Sequence, residues 1–325
     1  MIYVMQGGRC GNQLFVYAFA RQLLLDYPEE KLTFDFSGLK WGQKKYKNGS
    51  YWEDSLSRFN VINYEAIDDP SVLIMKYGSL SQKIVFFIWR LVNRLIKDKI
   101  GWISEGIRRQ LLHFTSRYGI YYIQIGYGEY HLTKQKNKFA WGSFEDPRWF
   151  DKIRPILLEE YVPKSKIKLE NEELYKKICN SNSVCVSLRK WSLDIHEPDN
   201  LSNREICGPA YYEKAIKIIQ EKVNDPLFVV FSDDVEWAKN VIKLISGDAE
   251  VISESGKDDV AEKIRLMSAC KHFIISNSTF GWWPQYLGQY PNKIVISPDR
   301  WLESFADRHP LILDNWVLIP TNKKL

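Results

Sequence analysis

The chain has 325 residues, of which 45% are hydrophobic and 26% are charged, with a formal net charge of +5 at pH 7. This balance is typical of a globular protein and excludes an intrinsically disordered one. The length is sufficient for two domains that each bury a core. The weak positive charge does not favour a nucleic-acid partner, which usually needs a concentrated basic face. It suits an anionic ligand or an anionic membrane surface.

The cysteines and the N-terminus predict a cytoplasmic protein. Five cysteines are present without a CxxC pair or disulfide-like spacing, which favours reduced thiols. Met1 leads directly into a strand and a glycine turn, so no signal peptide is expected. No apolar run approaches the roughly 20 residues that a membrane-spanning helix needs.

The chain opens with the pattern of a Rossmann-like unit. Residues 2–5 are predicted to be a strand, residues 7–11 a tight turn, and residues 12–25 a helix with apolar side chains at i, i+3, i+4 and i+7. Residues 27–80 are expected to hold short strands and loops. The following predicted elements are a helical stretch at 83–117, a strand at 121–125, a loop rich in Trp and Phe at 139–150, and a helix at 153–161.

From about residue 170 the pattern becomes a regular alternation of helices and strands. Pro163 and the lysine-rich stretch after it mark the predicted boundary between domains 1–165 and 166–325. Strands that alternate with helices of about a dozen residues indicate a parallel, doubly wound α/β sheet. The five predicted strands span 183–188, 227–231, 249–252, 272–276 and 293–296.

Three glycines in G-G-R-C-G-N-Q, residues 7–13, mark a sharp backbone turn. A nucleotide-binding turn is one interpretation, although the spacing is not that of G-x-G-x-x-G and no ribose-binding acid stands clearly about 20 residues further on. A purely structural turn is the alternative.

The apolar run V-C-V-S-L at residues 184–188 is followed directly by Arg189 and Lys190. Open α/β sheets bind ligands at the carboxyl ends of their strands. A guanidinium at such a point can bind a diphosphate bidentately and stabilise charge on a leaving nucleotide. The alternative is a surface arginine in a salt bridge. Lys190 supplies the same charge without the planar fork.

Two further motifs follow predicted strands. In F-S-D-D-V-E-W, residues 231–237, Ser232 and Asp233 could cap the next helix, or the adjacent acids could hold a nucleobase or ribose. In N-S-T-F-G-W-W, residues 277–283, the start of a helix can bind phosphate through backbone N–H groups. Ser278 and Thr279 would add hydroxyl donors there.

The sequence lacks the usual ligands of a metal that bridges a diphosphate. It has no Asp-x-Asp motif, and its five histidines show no metal-site spacing. A cationic clamp of Arg189 and Lys190 is consistent with metal-independent chemistry. Just beyond it, Asp194, His196 and Glu197 are candidate bases for an acceptor hydroxyl, or else part of a solvated loop.

Residues 83–97 are apolar almost all round, with Lys and Arg at the edges. The stretch 83–117 contains eight basic residues and only two acidic ones, Asp98 and Glu105. A basic amphipathic helix of this kind can lie on an anionic membrane, which would place the protein peripherally on the inner face of the cell membrane. A buried interdomain helix with snorkelling Lys and Arg is the alternative.

These segments, in this order, resemble glycosyltransferase family 11, whose best-known members are α-1,2-fucosyltransferases. The matches are G-N-Q-L-F-V-Y-A at 11–18, Arg189, F-S-D-D at 231–234 and N-S-T-F at 277–280. The resemblance implies an α/β, GT-B-like fold with two Rossmann-like domains facing a cleft, the acceptor mainly on 1–165 and the donor mainly on 166–325. It implies inverting, metal-independent transfer from GDP-fucose, without a cofactor, to a galactose-type hydroxyl of a surface glycan or lipid-linked oligosaccharide.

The predicted catalytic residues are Arg189, Lys190 and the candidate base Asp194, and no metal ligand is expected. The resemblance also implies a set of donor-binding residues. They are Gly8, Gly11, Asn12, Gln13, Arg189, Ser232, Asp233, Asp234, Asn277, Ser278, Thr279 and Phe280.

The chain departs from the family's His-x-Arg-Arg-Gly-Asp-Tyr run. Ser187 stands in place of His, Lys190 of the second Arg, Trp191 of Gly and Ser192 of Asp, and Gly281 replaces the Ser of N-S-T-F-S-W-W. A bulky indole in place of Gly predicts a reshaped loop beside the donor sugar. A family 11 transferase for another sugar is therefore the first alternative. An NAD(P)-dependent oxidoreductase, suggested by the glycine turn alone, and an inactive sugar-nucleotide binder are the others.

Overall fold

The computed structural model describes residues 1–45, 52–69, 72–96, 102–193, 198–304 and 308–321. The chain forms two compact units. Unit 1 comprises Met1–Ser57 and Val61–Tyr161, and unit 2 comprises Arg58–Asn60 and Val162–Leu325. The division lies at Tyr161, whereas the sequence places the boundary at residue 165. The short segment Arg58–Asn60 belongs to unit 2 because Phe59 bridges to Pro163.

Unit 1 is built on five parallel strands. The strands are β1 (Ile2–Met5), β2 (Leu32–Asp35), β3 (Glu65–Ile67), β4 (Ile120–Ile125) and β5 (Lys138–Glu145), in the sheet order β3-β2-β1-β5-β4. Its helices are α1 (Cys10–Asp26), α2 (Ser37–Lys45), α3 (Leu73–Tyr77), α4 (Leu80–Ile96), α5 (Trp102–Ser116) and α6 (Arg154–Glu160). Tyr17 and Phe19 of α1 are both fully buried, so this helix is covered around most of its circumference and not on one face alone.

Two predictions for unit 1 need correction. The predicted loop at 139–150 is wrong for its first half, because β5 pairs with β1 on one side and β4 on the other. Gly142, which indicates a loop in the sequence, instead has φ +137° and lies so close to β4 that a Cβ would be 2.0 Å from the Ile123 carbonyl oxygen. The single helical stretch predicted at 83–117 contains two helices, α4 and α5.

Unit 2 contains six parallel strands. They are β6 (Asn182–Leu188), β7 (Pro226–Ser232), β8 (Val251–Ser253), β9 (His272–Ile274), β10 (Val295–Pro298) and β11 (Val317–Ile319), in the order β11-β10-β9-β6-β7-β8. Its helices are α7 (Glu172–Asn180), α8 (Pro198–Arg204), α9 (Pro209–Lys222), α10 (Val235–Ile245), α11 (Val260–Ser268) and α12 (Thr279–Leu287). Numbered within the unit, the strand order is 3-2-1-4-5-6, that of the Rossmann fold.

The five strands and the parallel sheet predicted for unit 2 are confirmed, while α8 and β11 are additional elements. Strands β6 and β7 are buried on both faces, as their unbroken apolar sequences require. Strand order reverses between β6 and β9 in unit 2, and between β1 and β5 in unit 1. Ligands of open α/β sheets bind at the carboxyl ends of strands at such switch points. None of the helices in the described ranges is both long and apolar enough to span a bilayer.

Candidate functional site

Two ion pairs link the residues that follow β6 and β7. These strands pair in parallel up to Leu188 and Ser232, so the next residues of each strand emerge side by side. Arg189 Nη1 lies 2.5 Å from a carboxylate oxygen of Asp233. Lys190 Nζ lies 2.7 Å from Asp234 Oδ2. The strand register therefore matches the two cations one to one with the two acids.

Asp233 and Asp234 hold the cationic pair in place. Asp233 also accepts the backbone N–H of Lys190 at 3.0 Å, which fixes the main chain just after β6. The hydrogen bond from Lys190 lowers the pKa of Asp234, so this carboxylate is ionised at neutral pH. The Arg189 side chain is only 15% exposed, and reduced solvation strengthens its interaction with any phosphate that displaces Asp233.

The helix cap after β7 differs from the predicted one. The N-cap of α10 is Asp234, whose Oδ1 accepts the backbone N–H of Trp237 at 3.3 Å. The prediction that Ser232 and Asp233 form the cap is therefore wrong. Ser232 instead accepts the N–H of Asp234 at 3.1 Å, which leaves Asp233 to engage Arg189.

Trp191, which stands where the family has Gly, lies beside the clamp. The guanidinium carbon of Arg189 is 5.0 Å from the indole centroid, and that of Arg204 is 5.1 Å away. The indole N–H donates to Asn277 Oδ1 at 3.4 Å. Trp191 is only partly buried. It therefore positions Arg189 through a cation–π contact and does not fill the core.

The side-chain amide of Asn277 is used within the protein. Its Nδ2 donates to the carbonyl oxygens of Arg204 and Trp301 at 2.8 and 2.9 Å. Its Oδ1 accepts from Trp191 and from the Cys207 thiol. These bonds connect three segments around the end of β9, so Asn277 acts in this structure as a positioning residue.

The residues after Asn277 start α12 next to the end of β9. Ser278 is the N-cap residue, with φ −130°, and its side chain makes no capping hydrogen bond. Thr279 and Phe280 form the first turn and are partly exposed. Because β9 neighbours β6 in the sheet, the N-terminus of α12 and Arg189 emerge at the switch point. Backbone N–H groups and a guanidinium are both phosphate-binding groups.

The predicted residues of unit 1 gather at the end of β1. Gly8 has φ +73°, a left-handed conformation that favours glycine, and a Cβ there would lie 2.8 Å from Asn12 Cβ. Gln13 is completely buried. Its amide donates to the carbonyls of Gly8 and Glu53 and accepts the N–H of Ser55, at 3.2, 2.8 and 2.9 Å. Gln13 therefore supports the turn, and Gly11 is likewise buried in α1.

Two polar residues at the same edge were not predicted from the sequence. Glu145, the last residue of β5, accepts a hydrogen bond from Asn12 Nδ2 at 3.1 Å. Gln6 follows β1, is fully buried, and neither atom of its side-chain amide has a hydrogen-bond partner among the described residues. Strand order identifies Glu145, because β5 is the neighbour of β1 although Asn12 and Glu145 are 133 residues apart. Gln6 directly follows the predicted first strand in the sequence.

Several predicted residues lie outside the description. Asp194, His196 and Glu197 belong to the segment 194–197, which is not among the described residues. Within the described ranges, no group of three His, Cys, Asp or Glu side chains is arranged to hold a metal ion.

A family model matches most of this architecture. The model described as Glycosyl transferase family 11 matches residues 125–320, more than half of the chain. The chain belongs to glycosyltransferase family 11, and it is therefore a glycosyltransferase. The predicted α/β, GT-B-like pair of Rossmann-like units is confirmed, while the cleft between them stays a prediction.

Three curated relatives differ in how much they share with this chain. The O-antigen biosynthesis glycosyltransferase WbnK of Escherichia coli is 26% identical over 97% of this chain and 99% of its own length. The α-1,2-colitosyltransferase of Escherichia coli is 34% identical over 50% of this chain and 55% of its own length. Galactoside α-(1,2)-fucosyltransferase 2 of Rattus norvegicus is 24% identical over 54% and 51%. The chain thus spans about half the length of the last two relatives.

Solved glycosyltransferase structures align with the chain at low similarity. A mutant of Arabidopsis thaliana FUT1 in complex with GDP has a TM-score of 0.49 and 10% identity, over 90% of this chain and 69% of that chain. The ADP-heptose LPS heptosyltransferase II of Escherichia coli has a TM-score of 0.41 and 12% identity, over 98% and 89%.

Proposed function

We propose that this glycosyltransferase transfers L-fucose from GDP-fucose to a galactose-type hydroxyl, with inversion and formation of an α-1,2 linkage. The observation that carries this proposal is the position of Arg189 at the end of β6, adjacent in the sheet to the strand that leads into α12. A diphosphate bound there meets a guanidinium and a helix N-terminus together. The similarity to an α-1,2-colitosyltransferase and to a galactoside α-(1,2)-fucosyltransferase supports the linkage.

The proposed reaction is a single displacement at the anomeric carbon. The acceptor oxygen forms a bond to that carbon on the face opposite the nucleotide, while the bond to the diphosphate oxygen breaks and its electron pair leaves with GDP. The acceptor proton passes to a carboxylate base, for which Asp194 remains the sequence candidate. Arg189 and Lys190 stabilise the negative charge that grows on the diphosphate.

Arg189 exchanges its ion-pair partner when the donor binds. Asp233 neutralises Arg189 in the structure, and the diphosphate replaces this carboxylate as the guanidinium's ligand. Lys190 keeps its contact with Asp234 and adds a point charge. Such a cationic arrangement performs the role that a bridging metal performs in other transferases, so the proposed transfer needs no metal and no cofactor.

A second donor is favoured by two observations. Trp191 occupies the position of the family's Gly and contacts the clamp arginine, and a relative with 34% identity is named a colitosyltransferase. Colitose lacks one hydroxyl that fucose carries. A site that hydrogen-bonds this hydroxyl would reject colitose strongly, whereas a site that packs an apolar surface there would accept both sugars. GDP-colitose is therefore the alternative donor.

The proposed acceptor is an oligosaccharide of a surface polysaccharide, free or linked to a lipid, which is bound mainly by unit 1. An O-antigen biosynthesis glycosyltransferase aligns with this chain over almost the full length of both proteins, and this similarity supports that class of acceptor. The proposed location is the cytoplasm, with peripheral contact to the inner face of the cell membrane.

The test begins with the nucleotide and ends with the product. Melting temperatures measured with GDP, UDP and ADP should rise most with GDP, because ligands that bind only the native state stabilise it. GDP-fucose and GDP-colitose are then compared in transfer to a terminal galactoside, with the linkage determined by NMR. Preferential stabilisation by UDP or ADP would reject the donor assignment. Transfer from neither GDP-sugar would favour the inactive binder.

A further inference from the structure

The outward face of α4 is apolar along its whole length. Six large apolar side chains are 40–76% exposed: Leu80, Ile84, Phe87, Ile88, Leu91 and Leu95. Their spacing places them on one side of the helix. The opposite side packs into unit 1 through Val85 and Phe86, which are buried. A contiguous apolar surface of this kind marks an interaction site, because proteins rarely leave one uncovered.

The charged residues of α4 itself are all basic. Lys83, Arg90 and Arg94 are spaced by seven and four residues and therefore form a row along one edge of the apolar face. Residues 72–96 contain four Lys or Arg and no Asp or Glu. A second copy docked on the same face would bring further positive charge to it, whereas an anionic lipid supplies the opposite charge.

A cavity opens at the basic edge of α4. It has a volume of about 690 Å³ and is lined by Arg90 and Arg94 of α4 and by Arg108 of α5. Phe87 and Leu91 also line it, so the cavity is continuous with the apolar face. A hollow that combines guanidinium groups with an apolar margin suits a phosphate headgroup whose acyl chains lie against the helix.

We propose that the exposed face of α4 docks this protein on a bilayer that contains anionic lipid. The six apolar side chains enter the boundary between headgroups and acyl chains, and Arg90 and Arg94 bind headgroup phosphates. Docking on the membrane gives the proposed transfer access to a lipid-linked acceptor. The surface itself is independent of that function, because it rests on the exposure and charge of α4.

Binding of the full-length protein to sedimenting vesicles tests the proposal without donor or acceptor. Vesicles of phosphatidylcholine with phosphatidylglycerol should bind the protein, and vesicles of phosphatidylcholine alone should bind it at least about 25-fold more weakly. The double variant Arg90→Gln with Arg94→Gln should lose about 25-fold in partitioning, at about fivefold for each basic side chain near an anionic surface. Phe87→Ser with Leu91→Ser should abolish sedimentation, since both side chains are more than half exposed in the free protein.

Matched controls lie in unit 2. Lys239→Gln with Lys243→Gln removes two charges from α10, and Leu169→Ser with Leu244→Ser removes two side chains that are 86% and 84% exposed. Both controls should bind vesicles like the wild type. Hydrogen–deuterium exchange of the wild type should show protection of 80–96 on anionic vesicles, a measurement that needs no variant.

Three results would overturn the proposal. The first is equal binding to neutral and anionic vesicles, and the second is α4 variants that behave like the unit 2 controls. The third is a concentration-dependent dimer that the Phe87 and Leu91 variant dissociates, because a second copy would then cover the face. None of these results bears on the transferase assignment, since GDP-dependent stabilisation and transfer to a soluble galactoside are measured separately.

Discussion

The hydroxyl oxygen of Ser187 lies 2.6 Å from the position that a Cβ on Gly281 would occupy. Ser187 is the penultimate residue of β6, and Gly281 is in the first turn of α12. Both positions depart from the family pattern, and the structure brings them into contact. The absence of a side chain at 281 lets the helix N-terminus pack against the end of the strand that carries Arg189.

We expect Gly281→Ala to destabilise the protein despite the better helix propensity of alanine. The new methyl group would overlap Ser187 Oγ, and overpacking of a buried contact typically costs about 1–3 kcal/mol, at least as much as the roughly 1 kcal/mol that alanine gains in a helix. In the background of Ser187→Ala the nearest atom is 3.3 Å away, so the cost should fall. Urea denaturation of the four proteins of this cycle measures the coupling. Additive effects would contradict the contact.

Arg189→Ala should lower kcat/KM by about 100- to 1,000-fold, because in the proposed mechanism Arg189 is the charged donor that stabilises the leaving diphosphate. GDP binding should weaken while the melting temperature changes little, since the side chain is not in the core. Arg308→Ala is the matched control, because Arg308 is also ion-paired in unit 2, with Asp314, and lies outside the motifs of the site. Near-normal turnover of folded Arg189→Ala would reject its role.

Substitutions of the residues around Arg189 should lower kcat/KM less than Arg189→Ala does. Asp233→Asn keeps an acceptor for the Lys190 backbone N–H but loses the charge that orients Arg189. We expect about a tenfold loss in kcat/KM with a larger effect on KM than on kcat, because Asp233 orients Arg189 before the donor binds and the diphosphate then displaces it. Lys190→Ala should also cost less than Arg189→Ala, because a point charge lacks the bidentate geometry. Steady-state kinetics of the three variants give the ranking, and an equal loss in all three would contradict it.

Transfer should continue in excess EDTA. The expected charge stabilisation comes from Arg189 and Lys190, and the described residues offer no cluster of three potential metal ligands. Initial rates with EDTA and with added Mn²⁺ or Mg²⁺ should agree within about twofold. A strict requirement for either ion would show that the clamp does not replace a metal.

Trp191→Gly with Ser192→Asp should change donor preference more than stability. Trp191 is partly buried and contacts Arg189, Arg204 and Asn277, so its removal leaves no closed cavity of the kind that costs about 3–5 kcal/mol for a core tryptophan. Kinetics with GDP-fucose and GDP-colitose, together with melting temperatures, distinguish the two effects. A large fall in melting temperature with an unchanged donor ratio would make Trp191 purely structural.

His309 should make the protein sensitive to mild acid. Burial lowers the pKa of His309 to about 4, whereas an unfolded histidine titrates near about 6.5. Below that value the unfolded chain binds a proton that the native state excludes. The free energy of unfolding therefore decreases as the pH is lowered from about 6.5 to about 4. The difference amounts to about 3 kcal/mol at the acid end.

His309→Asn tests this dependence because it cannot titrate, and its Oδ1 can replace the Nδ1 that accepts the Leu311 N–H at 3.3 Å. The variant also loses the stacking of the imidazole on Trp301, so its absolute stability is not the readout. The slope of unfolding free energy against pH should become flatter across this range. An unchanged slope would assign the acid sensitivity to other groups.

The sequence by itself determined the parts of this protein that depend on local pattern. Apolar runs between helices predicted the parallel sheet of unit 2, because buried parallel strands must be apolar on both faces. The position of Arg189 and Lys190 after such a run predicted that they follow a strand at the carboxyl edge of the sheet, where open α/β sheets bind ligands. The four segments at 11–18, 189, 231–234 and 277–280, taken together and in order, predicted glycosyltransferase family 11, to which the chain belongs.

Only the tertiary structure decided which of these residues meet. Arg189 and Asp233 are 44 residues apart, and strand register, which has no signature in the local sequence, pairs them. Strand order likewise brings Glu145 to Asn12. The side-chain amides of Gln13 and Asn277 donate hydrogen bonds to backbone carbonyls of segments that are distant in the sequence. The apolar sequence of α4 was compatible with a buried helix and with a helix that exposes an apolar face. Only the packing of Val85 and Phe86 into unit 1 determined which side of the helix is exposed to solvent.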